Sequence, residues 1–224
     1  MEAMLSMHSC RRIMFFPSIL IFRGKLPRQY RKLILLRGGL FFECLQLKPE
    51  DTLLVRGGTC ALGYAAIQLA KVLGCKVIST THRDEKLPLL AEAGADECQT
   101  DGGTLTGKIS GVSKALDLIG PRYLKDTLAA VDKGAIVCCT GILGGIYDLN
   151  HFDPIKDIPN GVYLTGFFSN YPTQEIMDDI FGILTTYKLT PCFGKVFDFT
   201  NIRPPPHTSS PYHGAVFGSA VCQK

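Results

Sequence analysis

The stretch GGTCALG, residues 57–63, sets the small residues Gly57, Ala61 and Gly63 around Thr59, Cys60 and Leu62. If a strand ends before it and a helix opens within it, free backbone N–H groups and the positive helix end face the turn, which suits a diphosphate. A glycine-rich connection into a buried helix has the same composition, so the turn alone does not decide between the two. About twenty residues further on, where a site for an unphosphorylated ribose carries an Asp or Glu, the sequence reads STTHRDEK (79–86). It offers hydroxyls, among them Thr81, and two cations, Arg83 and Lys86. Charge-assisted hydrogen bonds from these cations favour a 2′-phosphate, so the pattern predicts NADP(H) over NAD, with Asp84 and Glu85 as opposing charges nearby.

Other candidate chemistry is sparser. The nine cysteines fall singly except for Cys138 and Cys139, and no C-x-x-C spacing occurs. Adjacent strand residues point to opposite faces, so no zinc lobe and no metal are expected, and the thiols read as small packing groups of a reduced intracellular protein. Cys60 is a candidate redox sensor, because the field at a helix start lowers a thiol pKa, and its side chain would crowd a diphosphate more than glycine would. Tyr163, His82 and His151 are acid–base candidates by residue type only, and no catalytic residue is assigned.

The elements that must position these groups are regular from Asp51 onward. DTLLVRG reads as a buried strand and ALGYAAIQLAKVLG as a helix, with Leu62, Ala65, Ala66, Leu69, Ala70 and Leu73 at helical spacing. KVIST, ADECQT, KALDLIG, GAIVCCTG and VYLTGFF read as further strands; RDEKLPLLAEAG, RYLKDTLAAVDKG and TQEIMDDIFGILTTYK read as helices. Strands separated by single helices need crossover connections, which predicts an α/β, doubly wound parallel sheet with helices on both faces.

The ends differ from this middle. The net charge of +4 divides into eight Lys or Arg against Glu2 alone before residue 39, and 16 basic against 19 acidic residues after it. The body therefore has no nucleic-acid-binding charge. RRIMFFPSILIFRGK is too short an apolar run to span a bilayer, so no membrane span is expected. The expected compartment is the cytoplasm, with mitochondrial targeting through the Arg-rich, acid-poor N-terminus as the alternative. NIRPPPHTSSPYHG opens an irregular, proline-rich tail.

From about Phe42 to Phe199 the chain resembles the nucleotide-binding half of the medium-chain dehydrogenase/reductase superfamily, and more closely its zinc-free quinone oxidoreductase (zeta-crystallin-like) branch. The residues that carry this are LQLKPEDTLLVRGGTCALGYAAIQLAKVLGCKVISTTHRDEKLPLLAEAGADE, KALDLIG, GAIVCCTGILGG and PNGVYLTGF. The resemblance implies a Rossmann-like domain in which the phosphate turn spans Gly57, Cys60 and Gly63, with Cys60 where glycine is usual. It implies Lys86 as a lysine for the 2′-phosphate. It also implies that Leu118 to Gly120, Thr140, Gly141 and Ile142, with Phe167 and Phe168, line the ribose and nicotinamide. Packing into the core is the competing role for the two Phe residues.

The implied reaction is hydride transfer from NADPH to a quinone, enone or similar small-molecule electron acceptor, without metal. A homodimer through the edge strand near Val162–Phe168 is implied too. The resulting division is an atypical basic segment (1–41), a Rossmann-like domain (42–199) and an irregular tail (200–224). The family's β-rich substrate domain has no counterpart in the pattern, which suggests a truncated chain. A catalytically silent NADPH-binding module or truncated dimer partner is the alternative to an active enzyme.

Overall fold

The computed structural model describes residues 36–168, together with two helical positions, Gly182 and Thr186. The rest of the helix expected over 173–188, the proline-rich tail and most of the basic segment lie outside the described residues.

Six short strands form one sheet: β1 (Thr52–Arg56), β2 (Lys76–Thr81), β3 (Glu97–Thr100), β4 (Lys114–Asp117), β5 (Ile136–Cys139) and β6 (Tyr163–Gly166). All neighbours are parallel, in the order β3-β2-β1-β4-β5-β6. The expected doubly wound α/β fold is what the chain adopts. The chain winds outward from β1 to β3, then returns to β4 on the other side of β1, so the connections diverge between β1 and β4 and leave a crevice at their carboxyl ends.

Alternation within each strand makes the two cores. Leu53, Val55, Val77, Leu116 and Cys138 face one side, where they pack under helix α1 (Ala61–Val72) and helix α2 (Leu87–Glu92). Leu54, Ile78, Ala115 and Val137 face the other, under Leu124 and Leu128 of helix α3 (Leu124–Ala129). Both faces of the central strands β1, β2 and β4 are covered, and their buried stretches are largely apolar rather than strictly alternating, whereas the outer strands β3 and β6 are part-exposed. Each fully buried aliphatic side chain contributes about 1.5–3 kcal/mol.

Several boundaries differ from the sequence reading. The helix expected over 83–94 begins as a single 3₁₀ turn (Asp84–Lys86) and becomes α-helical at Leu87, because Pro88 has no N–H to donate and is tolerated only in a first turn. The helix expected from Arg122 starts at Leu124, after a turn in which the Tyr123 amide donates to Gly120. A wide π-helical segment (Leu36–Cys44) straddles the boundary expected at residue 42, and its Leu40 and Phe41 are fully buried in the core beside β1 and β5. A short helix α4 (Pro154–Asp157), capped by the Asp153 carboxylate on the Ile155 amide, has no counterpart in the sequence reading.

Two close backbone approaches fix the crevice. A Cβ at Gly63 would lie 2.3 Å from the Gly58 carbonyl oxygen, so α1 starts directly against the loop that precedes it. A Cβ at Gly120 would lie 2.3 Å from the Gly141 oxygen, with Gly120 at φ +84°. Gly63→Ala is therefore expected to lower stability by about 1–3 kcal/mol through forced separation of loop and helix. Urea unfolding should show a lower midpoint at unchanged slope; an unmoved midpoint would contradict the contact.

Candidate functional site

The residues after β1 are held by β2. The Gly57 amide donates to the Thr80 hydroxyl at 3.1 Å, and the Gly58 amide donates to the Thr80 carbonyl at 2.8 Å. Cys60 caps α1: its backbone is extended, and its sulfur accepts the Gly63 amide at 3.4 Å. The Tyr64 amide returns to the Cys60 carbonyl at 2.9 Å. Ala61 and Leu62 are the first two helical residues, so helix geometry provides no acceptor for their amides, which open toward the crevice side of the turn. The thiol that sequence reasoning treated as an obstruction is thus turned to the helix as a cap.

The end of β2 closes one flank. The hydroxyls of Thr59 and Thr81 lie 3.3 Å apart, so two expected site residues meet across the turn. The Thr81 hydroxyl also accepts the Arg83 amide at 3.4 Å. Arg83 is exposed and donates through Nε to His82 Nε2 at 3.1 Å; Lys86 is half-buried in the 3₁₀ turn. Among the described residues, neither cation forms an ion pair. The Asp84 carboxylate accepts a hydrogen bond from the Thr100 hydroxyl at the end of β3.

The ends of β4 and β5 close the other flank. Gly120 and Gly141 pack backbone to backbone. The Thr140 hydroxyl donates to the Phe167 carbonyl at 2.7 Å, tying β5 to the residue after β6. Ile142 and Phe168 are exposed at 47% and 88%, so Phe168 belongs to the rim and not to the core, whereas Phe167 is half-buried against the core. Tyr163 is exposed at the start of β6, the end of the strand opposite the crevice, and His151 is exposed with its carbonyl accepting from Lys125.

Sequence reasoning missed the group beneath the crevice. Arg56, the last residue of β1, is fully buried and binds Asp101 through two hydrogen bonds, Nε to Oδ2 at 2.7 Å and Nη2 to Oδ1 at 3.0 Å. Its Nη1 donates to the Thr127 hydroxyl at 2.8 Å and the Tyr123 carbonyl at 3.1 Å, and lies 2.9 Å from Asp126. The Thr127 hydroxyl in turn donates to Asp117 at 2.5 Å. The other Asp117 oxygen accepts the Ile119 and Gly120 amides, each at 2.8 Å. Burial raises the Asp117 pKa despite these donors and the Arg56 charge. Burial also pushes Asp126 upward, but the Leu105 amide, the Thr106 hydroxyl and amide, and Arg56 together leave it below the ordinary value of 3.8. The one available sequence signal was an arginine closing an otherwise aliphatic strand.

The thiols are packing groups where they are described in the core. Burial first, then the Asp51 carboxylate, pushes Cys75 up to about 11; burial and then Asp117 do the same for Cys139. Among the described residues, no three His, Cys, Asp or Glu side chains converge to hold a metal, and no helix is long and apolar enough to cross a membrane.

Comparison with known proteins places this geometry. The family model described as zinc-binding dehydrogenase matches residues 61–181. The Bacillus subtilis (strain 168) protein YhfP, provisionally named a quinone oxidoreductase, is 29% identical over 105 residues, which cover 44% of this chain and 32% of that protein. The quinone oxidoreductase of Thermus thermophilus, solved alone and with NADPH, superposes with a TM-score of 0.60 at 21% identity, over 78% of this chain and 57% of that one. The CurK enoyl reductase superposes at 0.61 and 18% identity, over 76% of this chain and 53% of that one. The chain thus spans about a third of the curated relative and about half of these solved structures.

Arg56→Met leaves three buried or half-buried carboxylates without their cation and is expected to cost about 3–5 kcal/mol in urea unfolding. A loss below about 1 kcal/mol would show that the pairs contribute little. Asp126 has a folded-state pKa below its unfolded one, so its stabilisation is fully present above the unfolded value and is lost as pH falls through the depressed one. Asp126→Asn should flatten the decline of stability below about pH 4, read from thermal melts across pH.

Proposed function

The chain belongs to the zinc-binding dehydrogenase family, as the nucleotide-binding half of the medium-chain dehydrogenase/reductase type, and from that premise we propose that it binds NADP(H) for zinc-independent hydride transfer. The acceptor class is an electron-poor small molecule such as a quinone or enone, in the manner named for its relatives. The observation that carries this reading is the convergence, at the point where the sheet winding diverges, of a helix start with two unengaged amides and a β2 end bearing cations and no early carboxylate.

The donor set fits a phosphorylated dinucleotide. The amides of Ala61 and Leu62 hold the diphosphate at the positive helix end. Arg83 and Lys86 hold the 2′-phosphate, with Thr59 and Thr81 completing the floor between them. Gly120 and Gly141, packed backbone to backbone, hold the ends of β4 and β5 together on the ribose side, and Thr140, Ile142 and Phe168 border the ring side. When bound, the cofactor supplies the hydride. The protein's part is to orient it and to exclude water; no residue is assigned as acid or base. Zinc independence rests on the isolated spacing of the cysteines. Among the described residues β6 is the last strand of the sheet and its Tyr163 is exposed, which supports a homodimer through that strand.

A second reading is an NADPH-binding module without turnover. It is favoured by the exposure of the ring-side rim, where Ile142, Leu143 and Phe168 stand open at 47%, 50% and 88%. Fluorescence titration with NADPH and NADH tests binding, and oxidation of NADPH with a panel of quinones and enals tests turnover. Saturable binding with turnover supports the enzyme, saturable binding without it supports the module, and no binding removes both. Lys86→Glu should weaken NADPH by about tenfold or more while changing NADH by less than about twofold; equal effects would remove the case for phosphate recognition.

A further inference from the structure

Selectivity for a 2′-phosphate requires cations that stay free of local carboxylates. The chain places Asp84 directly after Arg83 and two residues before Lys86, in the same 3₁₀ turn. A free carboxylate there would accept hydrogen bonds from either cation, and it would repel a bound phosphate. What prevents this is on the neighbouring strand. Thr100 ends β3 in register with Thr81 at the end of β2, and the next amide, of Asp101, donates to the Thr81 carbonyl at 2.7 Å. The backbone on both sides of Thr100 is therefore fixed, and a β-branched side chain in a strand has few rotamers. From that position its hydroxyl donates to the Asp84 carboxylate.

Resting on the NADP(H) reading above, we propose that Thr100 is a positioning residue for cofactor preference: it holds the Asp84 carboxylate toward β3, so that Arg83 and Lys86 stay available to the 2′-phosphate. The remaining charges nearby do not substitute for it. Asp101 is taken by Arg56, and Glu97 is paired with Lys76 at 2.7 Å at the opposite end of the strands. Glu85 is exposed. A hydrogen bond at such a surface adds little to folding stability, so its consequence is electrostatic and is read in ligand discrimination.

The test is the ratio of NADPH to NADH dissociation constants for the full chain at low salt, by fluorescence titration. Thr100→Val should weaken NADPH by about three- to tenfold and leave NADH within about twofold. Thr100→Ser should match the parent, and Asp84→Asn combined with Thr100→Val should restore NADPH binding. The Thr100→Val effect should shrink as salt rises. Thr100→Ala, which removes the hydroxyl without adding a methyl group in its place, should show the same selective loss, which keeps the test open if Thr100→Val does not fold. An unchanged ratio in Thr100→Val or Thr100→Ala overturns the role of Thr100, as does a loss of both cofactors that the double variant does not reverse. A parent protein without NADPH preference overturns the phosphate reading itself, independently of any variant at 100.

Discussion

A guanidinium with no exposure to water, set at the end of the central strand, is the constraint to which the rest of this domain conforms. Arg56 is too costly to bury alone, and the chain answers with carboxylates, a carbonyl and a hydroxyl brought from two places, the loop after β3 and the start and first turn of α3. Each partner ties one of those segments to β1. Because Thr127 passes the interaction on to Asp117, the same network reaches the Ile119 and Gly120 amides and shapes the turn after β4. The Tyr123 ring lies against the guanidinium, 5.3 Å from ring centre to carbon, and covers its remaining face. The crevice is therefore built on a charged floor, with its two walls fastened to one side chain.

What the sequence makes legible is what local chemistry decides. Aliphatic runs announce β1, β2, β4 and β5, whereas β3, Glu-Cys-Gln-Thr, was legible only from its place in the alternation; the repeating small and apolar residues from Ala61 to Leu73 announce the helix that opens the turn. Thr59 was read in the diphosphate turn and Thr81 at the end of the second strand, beside the 2′-phosphate; the parallel pairing of β1 with β2 is what brings their hydroxyls together. The Arg56 network was hidden because its partners lie 45 and 71 residues away, and nothing in the spacing of Asp101 or Thr127 marks them as neighbours. Likewise Asp84 reads as a solvated charge at a helix start until β3 places Thr100 beside it. The burial of Leu40 and Phe41 was obscured for another reason: they sit in a basic, glycine-interrupted segment with no helical or strand period, and a wide helical turn has no common sequence signature.

The two walls of the crevice differ in what they can offer a ligand, and the hydrogen bonds explain why. At the ends of β4 and β5 the amides are already engaged: Ile119 and Gly120 with the Asp117 carboxylate, Thr140 and Gly141 with the Asp117 carbonyl, Leu143 with Leu118, and Gly144 with Ile119. This wall has these amides spent within the protein, and the buried carboxylates beneath it repel an anion. It presents close backbone at Gly120 and Gly141 and apolar side chains at Ile142 and Leu143, a surface for a neutral sugar and a flat ring. The opposite wall keeps the first amides of α1 and the Arg83 and Lys86 cations in reserve. A ligand that is anionic along one half and uncharged along the other is thereby given a single orientation. Asp117 enforces that polarity from below, consuming donors on one side while Arg56 holds it in place.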